Sequence, residues 1–319
     1  MPEDKQLRVL VTGCGGDIGQ SIGKILINYT DRFEVHGVDI SDRNAAKFIF
    51  PTFSIAPRVN APEYLDFITK YIATHQIDLV IPIAEPELRY YALNGWNSET
   101  IGADVLIAND ESLNTGFDKM ATVDFLSANG FAFPKTRLIG ESSGKVEFPI
   151  ILKSRTGSGS KSLLKVSNQI EFDFYMGVYG HQDFIIQEFI PSEEGEYTCG
   201  LFRSADGETR SIIFQRELMG GFSGYGELIE SEIITRMLHE LAGLLRLRGS
   251  INVQLRLRDG VPYIFEINPR FSSTVYFRHQ FGFDDVLWSI ADLRGERLAE
   301  YKPKRGFKHF YKGFNEYID

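Results

Sequence analysis

The first third of the chain alternates short apolar strands with amphipathic helices, and that alternation leaves few folds open. Strand signals over residues 7–11, 34–39, 78–82 and 104–107 enclose helix signals over 18–26, 62–74 and 85–94. This βαβαβ order predicts a parallel sheet with helices on its faces. The pattern then changes. A helix over 118–129 leads into strands over 150–154, 163–166 and 184–188, with a helix near 171–179, which reads as a small α+β unit. From residue 197 longer strands follow, over 197–202, 209–216, 251–258 and 263–267, with one helix over 232–245, and these read as antiparallel. The fold class is therefore α/β with an α+β remainder, without internal repeat, coiled coil or low-complexity tract.

Bulk properties exclude several classes. At 319 residues, 43% hydrophobic and 24% charged, the chain has room for two or three units with their own cores and an ordinary soluble composition. Cys14 and Cys199 are the only cysteines, so neither a disulfide framework nor a cysteine-based zinc site is expected. The N-terminal residues run into a strand without an apolar signal core, and no apolar run reaches the length of a membrane span. A cytoplasmic protein with no membrane association is the expectation. A net charge of −9 argues against nucleic acid as a partner. The basic tail of Lys302, Lys304, Arg305, Lys308 and Lys312 reads as a solvated end.

Thr12-Gly13-Cys14-Gly15-Gly16-Asp17-Ile18-Gly19 follows a strand and opens a helix, and Asp39 closes the next strand, as in a dinucleotide-binding turn. An NAD(P)-dependent epimerase or reductase is the rival this suggests. Such enzymes pair a catalytic Tyr with a Lys four residues later, and no Tyr here has one. The alternative is that the small residues let the first helix pack closely on the sheet.

Three further stretches carry polar chemistry. In Tyr263-Ile264-Phe265-Glu266-Ile267-Asn268-Pro269-Arg270, strand alternation puts the Glu266 carboxylate and the Asn268 amide on one face. Asp259-Gly260 reads as a hairpin turn that returns the chain beside Gln254, a third oxygen. Oxygen ligands without His or Cys suit Mg2+, which takes substrate phosphates as further ligands, so a nucleotide is implied. In the second stretch, the strand of residues 148–154 carries Lys153 near its end and is followed by Gly157, Ser158, Gly159, Ser160 and Lys161. That loop has free backbone N–H groups for phosphate oxygens but not the Walker pattern, since Ser160 precedes Lys161 and a strand follows. It reads as a hairpin lid. Third, Glu188 and Phe189 end a strand before a Pro-stopped connection that could read a purine through its backbone, with Glu196 on the next strand placed to grip ribose hydroxyls.

Together these stretches resemble the ATP-grasp superfamily, in the branch of the carbamoyl-phosphate synthetase large subunit and related carboxylate-amine ligases. The resemblance runs over residues 9–298. It implies an N-terminal parallel α/β (pre-ATP-grasp) domain over 1–110, then a two-part α+β ATP-grasp domain with a small lid subdomain over 111–190. A central subdomain over 191–319 would hold the metal site. Carried over, Lys119 and Lys153 match the phosphate-binding cations, Glu188 and Phe189 the adenine hinge, and Glu196 the ribose carboxylate. Gln254, Glu266 and Asn268 match the Mg2+ ligands, and Arg270 the cation facing the transferring phosphoryl group. The implied activity is ATP- and Mg2+-dependent joining of a small-molecule carboxylate to an amine or ammonia through an acyl phosphate, with a small-molecule kinase as the alternative on this scaffold. The glycine turn and Glu85-Pro86-Glu87 would then face the acceptor end or serve packing and the helix dipole. Arg216, Glu217, Tyr225, Ser272, Ser273 and Tyr276 are acceptor-side candidates read as loop residues. A homodimer is the symmetric default.

Overall fold

The computed structural model describes residues 6–141, 146–157, 163–180, 182–304, 306–313 and 315–318. Its first sheet is parallel, with order β3-β2-β1-β4-β5 from β1 (Leu7–Thr12), β2 (Phe33–Asp39), β3 (Thr52–Ile55), β4 (Leu79–Pro82) and β5 (Asp104–Val105). Helices α1 (Asp17–Leu26), α2 (Tyr64–His75), α3 (Glu85–Asn94) and α4 (Ser98–Ile101) accompany it. Because both faces are covered, β1 and β4 are continuous apolar runs rather than alternating ones. Strand order reverses between β1 and β4, so the glycine turn after β1 and residues 83–85 after β4 flank one crevice.

A four-stranded antiparallel sheet, β6-β9-β7-β8, follows from β6 (Thr136–Leu138), β7 (Ile150–Ser154), β8 (Leu163–Val166) and β9 (Phe184–Glu188), with α7 (Gln169–Tyr179) behind it. The larger sheet has six strands in the order β14-β13-β10-β11-β12-β15. They are β10 (Glu196–Arg203), β11 (Thr209–Met219), β12 (Phe222–Leu228), β13 (Gly249–Arg258), β14 (Val261–Asn268) and β15 (His309–Tyr311). The β13–β14 turn is as the sequence predicts: Asp259 and Gly260 both have positive φ, 54° and 72°, as a tight two-residue hairpin requires.

Core packing runs across the expected divisions of the chain. Helices α5 (Asp110–Phe117) and α6 (Lys119–Ala128), expected to go with the small subdomain, bury Leu113, Phe117 and Leu126 with the larger sheet and with α8 (Glu232–Leu244). Helices α9 (Val275–Gln280) and α10 (Asp285–Leu293) place Val275, Val286 and Ile290 in one core with Val9, Val11 and Ile22 of the first domain. Apolar faces thus cross the boundaries at 110 and 190, which local patterning cannot show. Within the basic tail one stretch is built into the fold: His309–Tyr311 form β15 and Phe310 is buried in an aromatic cluster, while Lys302 and Lys308 stay exposed, Lys308 pairing with Glu227 at 2.8 Å.

Glu87 is buried at the foot of this first sheet and accepts hydrogen bonds from Thr12 and Tyr64. Burial pushes its carboxyl up to about 6, against the opposing pull of those hydroxyls. A folded-state pKa above the unfolded one gives stability that is fully present below the unfolded value and lost as pH rises through about 6. A shift of that size corresponds to about 2 kcal/mol. Glu87→Gln is therefore expected to flatten the stability profile between pH 4.5 and 6 relative to the parent protein, measured by urea unfolding; an unchanged slope would place the titrating group elsewhere.

Candidate active site

Where the three sheets meet lies a cleft of about 530 Å3. It gathers Lys119, Lys153, Gly157, Glu188, Phe189, Glu196, Gln254, Glu266, Asn268 and Arg270, together with Gly13, Gly16, Asp17 and Glu85 from the first domain. Residues 158–162, which include Ser158, Gly159, Ser160 and Lys161, lie outside the described residues.

Lys153 stands on β7 with 6% exposure, its ammonium donating to the Phe265 carbonyl oxygen at 3.3 Å. No carboxylate pairs with it among the described residues. Burial pushes its pKa down to about 8; Glu266 opposes that shift, while Lys119 and Arg256 add to it. Lys119 opens α6 and donates to the Gly157 carbonyl at 2.8 Å, so it ties α6 to the chain just after β7. Arg155 fixes the same corner, gripping Asp118 with two hydrogen bonds of 2.8 and 2.6 Å. Arg89 adds a tie from the first domain, reaching Glu85 at 2.6 Å and the Thr156 carbonyl at 2.7 Å.

On the opposite wall, register sets the oxygens: Gln254 faces Glu266 and Asn252 faces Asn268 across β13 and β14. Asn268 is 9% exposed and lines the cleft. Gln254 differs from the other two, because its Oε1 accepts from Arg216 at 2.8 Å. Arg270 donates to the Phe271 carbonyl at 3.0 Å. Burial lowers its pKa, with Glu85 and Glu266 opposing. No cluster of three His, Cys, Asp or Glu able to hold a metal occurs among the described residues. The oxygens available are thus one carboxylate and two amides, a weak set alone and a fitting one for a hard cation that arrives with phosphate ligands.

Sequence reasoning gave Arg216 of β11 an acceptor-side place and missed Arg256 of β13, and the two together organise this wall. Glu196 is clamped by Arg216 at 2.9 Å and Arg256 at 2.6 Å. Burial alone would raise the Glu196 carboxyl; the two guanidiniums outweigh it and hold the pKa below the usual carboxylate range. Phe189 lies between Lys165, 4.1 Å from its ring centre, and Arg256, at 5.1 Å. The side chain of Glu188 is taken by Arg258 and the Lys135 backbone N–H, so a purine there would meet backbone groups. Arg256 was discoverable: it stands two residues after Gln254 and so shares its strand face.

Several acceptor-side candidates are not loop residues. Arg216 and Glu217 lie within β11 and Tyr225 within β12, because Gly220 and Gly221, both at positive φ, close a hairpin that extends both strands. Tyr276 is on α9, while Ser272 and Ser273 sit in the turn before it and line the cleft. The glycine turn is tightly closed. Gly15 donates its N–H to Asp39 at 2.7 Å, and a Cβ on Gly15 would lie 2.5 Å from Asn44. The carboxylate a dinucleotide site would reserve for ribose is thereby committed to its own loop, with Ser41 as second donor at 3.1 Å. Of the acidic pair, Glu85 faces the cleft and Glu87 the buried hydroxyls.

A parallel first domain, a small antiparallel sheet and a larger one closing on a cleft define an architecture built for gripping a nucleotide between two sheets. The chain belongs to the ATP-grasp superfamily: the ATP-grasp domain family matches residues 117–274, and the PylC-like N-terminal domain family matches residues 9–106. It is similar to the carbamoyl phosphate synthase large chain of Deinococcus deserti, 24% identical over 199 residues that cover 55% of this chain and 19% of that one. The chain spans a minor part of that relative's length. Among solved structures it resembles the ADP complex of purK, an N5-carboxyaminoimidazole ribonucleotide synthetase, with a TM-score of 0.75 and 16% identity over 95% of this chain and 81% of the other. The L-amino acid ligase of Bacillus licheniformis has a TM-score of 0.71 and 16% identity, over 94% and 78%.

Proposed function

We propose that the protein is an ATP- and Mg2+-dependent ligase that joins a carboxylate to an amine or ammonia through an acyl phosphate, releasing ADP and phosphate. The observation that carries this reading is Lys153, a buried ammonium without a carboxylate partner among the described residues, facing the same cleft as Arg270, Glu266 and Asn268. Burying an unpaired charge is costly, and an anionic ligand relieves that cost. The similarity to ligases, one of them solved with ADP, supports the same reading.

In this reading the purine rests against Phe189 and the backbone at residues 188–190, and Glu196 meets the ribose. Lys119 and Lys153 neutralise phosphate oxygens, and Arg270 stabilises the charge that builds as the γ-phosphoryl group moves to the substrate carboxylate. Glu266 and Asn268 would hold Mg2+, with Gln254 joining if its amide leaves Arg216. Held there, such an ion would supply charge neutralisation for phosphoryl transfer. The loop of residues 156–161 would exclude water, since an acyl phosphate hydrolyses readily. No covalent enzyme nucleophile is required. Gly13 and Gly16 of the first domain and Ser272 of the turn before α9 would face the acceptor.

Hydroxylamine should trap the acyl phosphate. With ATP, Mg2+ and the correct acid from a mixed pool, but no amine, a hydroxamate is expected to form in step with ADP. ADP appearing with a phosphorylated alcohol instead would make the protein a kinase on this scaffold.

A further inference from the structure

The last residues of the chain do more than finish the larger sheet. After β15 pairs with β12, Lys312 donates its N–H to the Gly224 carbonyl at 2.8 Å, which continues the ladder by one residue. Its ammonium then leaves the sheet and pairs with Asp17, in the first turn of α1. It also stands 5.1 Å from the Phe222 ring centre. Asp17 and Phe222 both line the cleft, one from each side of its acceptor end. Further along, Tyr317 stacks on Phe48 of the first domain, with ring centres 5.0 Å apart and planes 14° from parallel.

The anchor of this strap is built into the sheet. Phe310 is 4% exposed and packs among Phe214, Phe277 and Phe281. Its ring lies where a Cβ on Gly226 would stand, 2.3 Å away, so only glycine at 226 admits it. Lys312 itself is mostly covered, with 14% of its side chain exposed. A rigid anchor on one domain and a charged contact on the other make Lys312 a spacer between them.

We propose that Lys312 is a positioning residue for the acceptor end: through Asp17 and Phe222 it sets the distance between the first turn of α1 and the β11–β12 hairpin, and so the size of substrate admitted. It acts without touching the nucleotide. The inference rests on the proposed function for which end of the cleft takes the acceptor, and on the geometry for the contact itself.

Lys312→Met keeps the apolar stem beside Phe222 and removes the charge. Hydrogen exchange over residues 13–20 is expected to speed up about fivefold or more in this variant. Titration with Mg·ADP, the probe for the nucleotide half, should change by no more than about twofold. Lys312→Arg should restore slow exchange, which a merely space-filling side chain would not require. Asp17→Asn removes the same pair from the other side and should reproduce the faster exchange. If Lys312→Met folds poorly, the Asp17→Asn and Lys312→Arg variants decide by themselves. Unchanged exchange in Asp17→Asn, or an equal loss of Mg·ADP affinity in Lys312→Met, would overturn the proposal. Wild-type protein that fails to bind Mg·ADP would instead sink the nucleotide reading and leave the exchange result standing.

Discussion

Replacing Glu266 and Asn268 together with alanine is expected to lower ATP-dependent turnover roughly a thousandfold while leaving the protein folded, the scale of losing oriented charge stabilisation at a transferring group. Both side chains leave β14 on one face, i and i+2 along the strand, and both line the cleft. The fold should survive because the β13–β14 ladder is made by backbone groups, and Ile264 and Ile267 supply the core contacts from the other face. Calorimetry with ATP, with and without Mg2+, separates the two causes of any loss. Parent-like affinity in the presence of Mg2+ together with parent-like turnover would remove these two residues from the metal set. A single Gln254→Ala variant adds a sharper reading. If Gln254 serves chiefly to hold Arg216, its loss should disturb the Glu196 clamp more than it disturbs the Mg2+ dependence.

The second large effect is expected at Lys153, and it has opposite signs for activity and stability. Lys153→Met should reduce phosphoryl transfer by about two orders of magnitude, because a fixed cation in a closed cleft is replaced by an apolar stem of similar length. The same change should stabilise the empty protein. Burial depresses the Lys153 pKa to about 8, below its unfolded value of 10.5. The charged ammonium therefore disfavours folding at neutral pH, and that cost fades as pH rises from about 8 towards 10.5. A shift of this size amounts to about 3 kcal/mol. Urea midpoints at pH 7 and pH 10 provide the check: the gain of Lys153→Met over the parent protein should be larger at pH 7. A variant that is less stable at both values, with normal turnover, would make Lys153 a packing residue.

How far the site was legible depends on what kind of contact defines each residue. Glu266 and Asn268 were readable because alternation along one strand is a local fact; that Gln254 stands opposite Glu266 was not, since unbroken pairing from the Asp-Gly turn would set it opposite Phe265 and a register shift between Gln254 and Leu255 moves it on by one residue. Glu196 was readable as a carboxylate after a turn. That it would be held by Arg216 and Arg256 was not, since those arginines are 20 and 60 residues away and reach it only when β10 sits between β11 and β13. The fate of Gln254 belongs to the same pairing. Glu217 and Tyr225, beyond the predicted strand that Arg216 ends, looked like loop residues because Gly220-Gly221 reads as irregular chain, whereas paired β11 and β12 turn those glycines into a tight hairpin.

By itself, the sequence determined most of the strands and helices, though not β3, β6, β12, β15, α4, α5, α9 or α10, together with the parallel first sheet, the alternation that sets Glu266 and Asn268 on one face, and the resemblance that those stretches carry. These depend on residue periodicity and turn chemistry, which act over a few residues. The tertiary structure decided which cores the helices join, with α5 and α6 on the larger sheet and α9 and α10 against the first domain. It also decided that Lys153 is buried with no carboxylate paired to it among the described residues and that Lys312 reaches Asp17 across 295 residues. Burial and charge pairing are properties of the assembled surfaces, and until the three sheets meet neither the cleft nor the cost of an unpaired ammonium exists.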